Sequence, residues 1–476
     1  MAERETWTSR AGFIFAAVGS AVGLGNIWSF PFQTAANGGA AFLVVYLAAV
    51  FLIGFPTMLI EFVIGRRGEQ NPVAAFKKLG YEQWSFTGGI GVFSSFVTLA
   101  FYSVVGGWVL SYIVGSVTGA YFGDPGAYFG AVSAGPTAIA AHAVFMAITI
   151  GIVAFGVTDG IERATKFMIP AIIVLLVGLA VWATTLDGAA AGYSYYLSPD
   201  FSTLAKNFGS IVPAAMGQAF FTLSLGFSVM IAYASYLGRD DSLPADGSAI
   251  VVINTIVALL AGFVVFPILF ATGGAGGAGG GPGTAFVALA GAFGALPAGQ
   301  IIGLAFFVVL LFAALSSSIS LLEVPVAYVS ENYGYGRSTT AVAMGTVIFV
   351  VGLLPALGTN YLTLYNDVVF KFLLPIAVLL LALFVGWAAD REAMDELGRG
   401  SSFGESFTTV WLWWVRTVVP IAVVVTLYLG VKAIYTSFQK GVYFRNREIL
   451  GDTLFFSTSW WENMGDRYSK TVIFVF

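Results

Sequence analysis

"AAVGSAVGLGNIWSFPF", residues Ala16 to Phe32, is apolar enough to enter a bilayer, yet Gly19, Gly23 and Gly25 lie along it with Ser20 and Asn26 beside them. A glycine destabilises a helix interior by about 1 kcal/mol relative to alanine, and an unpaired backbone group in hydrocarbon costs several kcal/mol. The stretch therefore reads as a membrane helix broken at mid-depth. A second break of the same kind lies in "GQAFFTLSLGFSVMIAYASY", Gly217 to Tyr236, where Thr222, Ser224 and Gly226 fall at the middle. Backbone of this kind survives at membrane depth only inside protein or against a wet cavity. There its free carbonyls can hold a cation, and a half-helix N-terminus an anion.

Around these stretches the chain is 58% hydrophobic and 10% charged over 476 residues, against about a quarter charged in a soluble domain. With 16% aromatics and 58 glycines, the composition favours close-packed transmembrane helices over a barrel of short alternating strands. At roughly 20 apolar residues per crossing, eleven spans are expected: 11–36, 39–65, 87–118, 137–157, 164–186, 208–237, 247–272, 299–330, 338–356, 362–389 and 408–437. The breaks fall in the first and sixth of these. Paired interruptions at matching places in two halves point to two inverted five-helix repeats with a site at the midplane. The expected organisation is an N-terminal segment 1–10, repeats at 11–186 and 208–389 joined by an external loop 187–207, a cytoplasmic loop 390–407, the eleventh span and an external tail 438–476. Thirteen of the 21 Lys and Arg residues, among them Arg66, Arg67, Lys77, Lys78, Arg163, Lys166, Arg391 and Arg399, fall in segments on the side of the N-terminus. The positive-inside rule makes that side cytoplasmic, in the cell membrane. The run "ATGGAGGAGGGPGTAF", Ala271 to Phe286, is too rich in glycine to span and reads as an external loop leading into a short helix near 284–294.

Several functions are excluded early. The chain has no cysteine, and its one histidine, His142, sits in an apolar run and reads as a packing residue, so thiol chemistry and Cys/His metal sites are absent. A net charge of −4 offers no basic surface for nucleic acid. An intramembrane enzyme would need a nucleophile with its base or a metal cluster, and a channel a continuous polar pore. Here the polar residues gather at one depth.

The motifs "GSAVGLGNIWSFPF", "NGGAAF", "GIERATKFMIP", "GQAFFTLSLGF" and "FAALSSSISLLE", in that order along the chain, resemble those of the neurotransmitter:sodium symporters. The resemblance runs from Arg4 to about Gly386 and implies two sodium sites. The first would use the Ala21 carbonyl, the side chains of Asn26 and Asn254, both oxygens of Thr222 and the substrate carboxylate. The second would use the carbonyls of Gly19, Val22 and Ala313 with the hydroxyls of Ser316 and Ser317. Neutral oxygens of these kinds suit a hard cation. A substrate carboxylate would lie against the Leu24 and Gly25 amides and the Tyr102 hydroxyl. Its amino group would meet the carbonyls of Ala21, Phe221 and Thr222 and the Ser224 hydroxyl. Ser20, Thr98, Tyr102, Phe221, Phe227, Ser317 and Leu321 would line the side-chain pocket. Relatives that carry amines have aspartate where this chain has Gly23, so the resemblance implies a neutral, mainly apolar amino acid carried with sodium. Another zwitterion, a betaine or a β-amino acid, stays open beside it.

The resemblance also implies an inner gate of Arg4 and Glu331, with Trp7, Ser235, Tyr236 and Glu323 near it. Gly160 and Pro170 in span five match the motif that lets its cytoplasmic half unwind. Two departures stand out. Where relatives pair an arginine with an aspartate across the outer vestibule, this chain has Ser29 and Asn366, with Asp367 and Lys371 nearby and spaced to pair with each other. Tyr46, Gln218, Thr222 and Asn254 match the surroundings of a chloride site, but the position that separates chloride-dependent relatives is Ala258. Chloride use is left open. Glu61 in span two matches a structural residue that bonds to span six.

Overall fold

In the computed structural model the described residues are 6–238, 241–273, 283–400 and 404–444. Among them there is no strand. Nine helices are each long and apolar enough to cross a membrane: Ala40–Gly68, Glu82–Thr118, Gly135–Ala154, Val157–Ala183, Leu243–Ala271, Gly299–Tyr333, Arg337–Leu357, Thr359–Ala388 and Gly404–Gln439. Arg10–Ala21 and Gly25–Ala36, bent by 45° at their junction, form span one. Phe208–Thr222 and Val229–Ala234 form span six. The architecture is thus the expected one: two five-helix repeats that each open on a broken helix, plus an eleventh span. Below, the near end of the bundle is where span one starts, and the far end where it finishes.

The two breaks differ in kind. In span one the Val22 N–H still donates to the Val18 carbonyl at 2.6 Å, so the helix holds through Gly19 and fails only at Val22 to Leu24. Gly19 is needed for approach instead: a Cβ there would lie 2.8 Å from Thr165 Cγ2 of span five. A wide helical turn, Gly25–Ser29, then restarts the span. In span six the chain leaves the helix for Leu223 to Ser228, with φ of +54° at Ser224, +78° at Gly226 and +59° at Ser228. Left-handed backbone at two serines is costly and rests on tertiary contacts.

Those contacts are present. The Gly226 N–H donates to Glu61 at 2.8 Å, and the Phe227 carbonyl accepts from Ser95 at 2.7 Å. At Gly65 a Cβ would come within 2.2 Å of the Ile231 carbonyl, so span two and the short second half of span six meet backbone to backbone. Gly65 is what permits that contact.

The connections carry more helix than their composition suggested: Pro72–Lys78, Pro125–Ser133, Ala189–Leu197, Phe201–Lys206 and Asp390–Gly398. Asn71 caps the first by accepting from the Val73 and Ala74 amides, a signal present in the sequence. The short helix expected near 284–294 is Thr284–Ala295. Positions 274–282 of the glycine run, Arg4 and the tail beyond 444 lie outside the described residues. At the near end a buried pair, Arg66 with Glu396 at 2.6 Å, ties span two to Asp390–Gly398. Span eleven is peripheral, with Ile421, Tyr428 and Val431 exposed on its outer face, as suits a helix that meets lipid.

Candidate functional site

The two breaks meet. Between them lies a cavity lined by Ser20, Ala21, Gly23 and Gly25 of span one, Tyr102 of span three, Phe221, Ser224 and Phe227 of span six, and Ser317 and Leu321 of span eight. None of these side chains is charged. Its volume is about 10 Å3, room for about one water. The second half of span one aims its first amides at this space, and the first half of span six brings its last carbonyls to it.

The orphaned backbone groups of the first break are met by side chains. The Leu24 N–H donates to the Tyr102 hydroxyl at 3.1 Å, and the Gly23 N–H to Asn26 Oδ1 at 3.1 Å. An amide and a hydroxyl therefore converge where a carboxylate would find both donors. Beside them hydroxyls form a chain: Ser320 to Ser20 at 2.8 Å, Ser20 to Ser224 at 2.9 Å, and Ser317 to the Ser20 carbonyl at 2.9 Å. The Phe221 carbonyl accepts from the Ser224 N–H at 3.1 Å. Thr98 is buried with no hydrogen-bond partner for its hydroxyl and does not line the cavity.

Two oxygen clusters flank this space. In the first, the outer atom of the Asn254 amide lies 3.1 Å from the Ala21 carbonyl, 3.0 Å from the Thr222 carbonyl and 2.8 Å from Asn26 Nδ2. With the amide turned one way its nitrogen donates to both carbonyls. Turned the other way, three oxygens face one another, an arrangement that a cation satisfies. Asn26 bonds through Nδ2 to Asn254 and through Oδ1 to Gly23, so its oxygen is turned away from that cluster. In the second cluster the Ser316 hydroxyl lies 3.1 Å from the Val22 carbonyl and 3.0 Å from the Ala313 carbonyl. Ser317 turns its hydroxyl toward Ser20 and the cavity instead.

The near end is closed beneath the cavity. Trp7 Nε1 donates to the Tyr233 carbonyl at 2.9 Å, and its ring packs edge-on against Tyr233 and Tyr236. Tyr236 donates to Glu323 at 3.0 Å, and Arg337 of span nine pairs with the same carboxylate. Glu331 accepts from the Asn71 amide and side chain at 2.7 and 3.1 Å. Glu162, in the wide turn Val157–Glu162 that opens span five, accepts from the Thr8 amide at 3.0 Å and from Lys166 at 2.6 Å.

At the far end, Ser29 donates to Gln218 at 2.8 Å, and Gln218 donates to the Gly25 carbonyl at 2.8 Å. Neutral hydrogen bonds between spans one and six thus stand at Ser29. Asp367 and Lys371 pair with each other at 2.8 Å.

A profile of the Sodium:neurotransmitter symporter family matches residues 4–122 and 133–460. The chain belongs to that family. Within the family, it is 38% identical over 437 residues to an uncharacterized sodium-dependent transporter of Bacillus subtilis, covering 88% of this chain and 96% of the relative. It is 34% identical over 459 residues to another from Methanocaldococcus jannaschii, covering 91% and 92%. The crystal structure of MhsT in complex with L-phenylalanine superposes with a TM-score of 0.83 at 39% identity, over 90% of this chain and 100% of that one. A sodium-dependent neutral amino acid transporter B(0)AT2 of Bos taurus is 28% identical over 302 residues, 56% of this chain and 41% of its own length. As a symporter-family member the chain is a sodium-dependent transporter built of membrane-spanning helices.

Sequence reasoning missed three neighbours of the site. Ser320 lies one turn beyond Ser317 on the same face of span eight, a spacing the "SSSIS" run displays. Gly23 lines the cavity as well as discriminating among relatives. Phe370, whose ring stands 4.4 Å from that of Phe221, has no signal in the local sequence.

Proposed function

We propose that this protein carries a neutral, mainly apolar amino acid together with sodium into the cell by alternating access, with the near end cytoplasmic and the repeats 11–186 and 208–389 moving against each other. The observation that carries this reading is the uncharged mid-depth cavity where both breaks meet, with the Leu24 amide, the Tyr102 hydroxyl and the serine hydroxyls gathered around it. The substrate carboxylate lies against Leu24, Gly25 and Tyr102. Its amino group faces the carbonyls of Ala21, Phe221 and Thr222 and the Ser224 hydroxyl, and its side chain lies over Phe221, Phe227 and Leu321. A Cβ at Gly23 would stand 2.1 Å from the Ser317 hydroxyl. The site therefore has no room for a carboxylate of its own, and the substrate brings one. The B(0)AT2 relative, named for neutral amino acids, and the MhsT complex with L-phenylalanine support an amino acid as the cargo.

The oxygen clusters support two sodium sites, with Ala21, Asn26, Thr222 and Asn254 at the first and Val22, Ala313 and Ser316 at the second, where the Gly19 carbonyl and a Ser317 hydroxyl turned away from Ser20 would complete the set. Filling the first requires the Asn26 amide to turn its oxygen inward. The substrate carboxylate completes that site, so sodium and substrate raise each other's affinity. An amino acid exceeds a cavity of about 10 Å3, so Phe221 and the groups around it withdraw to admit it. The test is uptake into proteoliposomes of labelled leucine, phenylalanine, glycine betaine and β-alanine under an inward sodium or potassium gradient. Sodium-driven accumulation of leucine or phenylalanine is expected. Accumulation of betaine or β-alanine alone, or uptake indifferent to the cation, would overturn the reading.

A further inference from the structure

Neutral residues, Ser29 and Asn366, stand where the resemblance implies an outer ion pair, yet the cavity is covered on the far side by Phe221, and Phe221 is itself covered. Phe370 of span ten stands edge-to-face on it, with ring centroids 4.4 Å apart at 69°, and Phe101 of span three lies 6.3 Å behind Phe370. Phe370 sits in a wide helical turn, Val369–Leu373. Such turns insert a residue and re-aim the side chains around them. The same stretch is clasped from outside by the segment that follows span eleven. Tyr443 is fully buried there, with its ring edge against Phe438. Its hydroxyl donates to Asp367 at 2.7 Å, its carbonyl accepts from Asn360 at 2.8 Å, and the other Asp367 oxygen takes Lys371 at 2.8 Å. Gly430 of span eleven lets that clasp close, since a Cβ there would meet the Lys371 carbonyl at 2.5 Å.

We propose that Phe370 over Phe221 is the outer lid of the cavity, and that Tyr443 is its positioning residue, holding the lid-bearing turn of span ten through Asp367. The proposal deepens the transport reading and rests on it for what lies beneath the lid. A hydroxyl 2.7 Å from the carboxylate of Asp367, a residue only 7% exposed, fixes the end of the helix Thr359–Val368 that leads into the turn, three residues before Phe370. Edge-to-face rings then carry the constraint inward to Phe221.

The absence of cysteine gives a clean test. Ser317→Cys places a single thiol in the cavity wall, and its reaction rate with a charged methanethiosulfonate is measured on purified protein in sodium. Adding Tyr443→Phe is expected to speed labelling about fivefold, the change that loss of one hydrogen bond makes to an opening equilibrium. Phe370→Ala speeds it further, and the double change Tyr443→Phe with Phe370→Ala is no faster than Phe370→Ala alone, because Tyr443 acts through that ring. Tyr435→Phe, an exposed tyrosine on span eleven, leaves the rate unchanged. The proposal is overturned if Tyr443→Phe labels at the parent rate, if the two changes multiply as independent ones, or if Tyr435→Phe has the same effect. Labelling needs no bound amino acid, so failure of sodium-driven uptake would count against the transport reading and not against the lid.

Discussion

A methyl group at Gly23 would stand 2.1 Å from the Ser317 hydroxyl and 2.9 Å from that of Tyr102. Overpacking of that kind costs about 1–3 kcal/mol, and here it falls on the wall that receives the substrate. Gly23→Ala is therefore expected to weaken sodium-dependent amino-acid binding by about tenfold or more while the protein remains monodisperse. Equilibrium binding checks this, and unchanged affinity would move the carboxylate elsewhere. Tyr102→Phe removes the hydroxyl that would donate to the substrate carboxylate. A hydrogen bond to a charged group is worth about 1.5–3 kcal/mol, so affinity should fall by about 10–150-fold. Ser316→Ala removes the one hydroxyl between the Val22 and Ala313 carbonyls. It should raise the half-saturating sodium concentration by about tenfold, with little change in amino-acid affinity once sodium saturates. A change in the second quantity alone would place sodium at other oxygens. At this scale the sequence was legible where glycine and hydroxyl residues interrupt apolar runs, because few alternatives explain polar groups at mid-depth. It was opaque where the partner comes from a distant element: Arg337 on Glu323, Tyr443 on Asp367 and Phe370 on Phe221 join residues that no local pattern relates.

Among the elements, the broken helices were readable because glycine in a span is costly, but their detailed course was not. Gly19 reads as part of the break and is instead a packing contact on Thr165. The wide turn at Gly25–Ser29 and the positive φ at Ser224 and Ser228 depend on neighbours that supply hydrogen bonds. Apart from Thr284–Ala295, the short helices between spans were missed because their caps, such as Asn71, are single residues in polar stretches. Two elements make a prediction together. Glu162 ties the turn Val157–Glu162 to Thr8, and Thr165, one turn on, abuts Gly19 near the second oxygen cluster. Glu162→Gln keeps an acceptor but loses the charge that Lys166 faces. Amide exchange in 157–162 should then accelerate while Phe208–Thr222 stays protected, as a local opening requires. Equal acceleration in both would mean global loosening and no latch.

Across the whole molecule, the closed near end, the lid at the far end and a cavity fit for about one water describe a transporter shut on both sides. The two repeats each contribute one broken helix to the same small volume, which lets a rocking motion expose one site to either side in turn. Sodium enters this scheme through linkage: a ligand shifts the balance of conformations only by what it gains in one over the other. The central claim is that sodium and an amino acid share the oxygen cluster at Ala21, Thr222 and Asn254. Equilibrium binding of labelled L-leucine and L-phenylalanine to purified protein, in sodium and in potassium, with the unaltered chain and with Asn254→Ala, tests it most directly. The account predicts saturable binding in sodium, none in potassium, and a sodium requirement raised by about tenfold or more in Asn254→Ala. Binding of equal strength in potassium, or an Asn254→Ala protein indistinguishable from the parent, would contradict it.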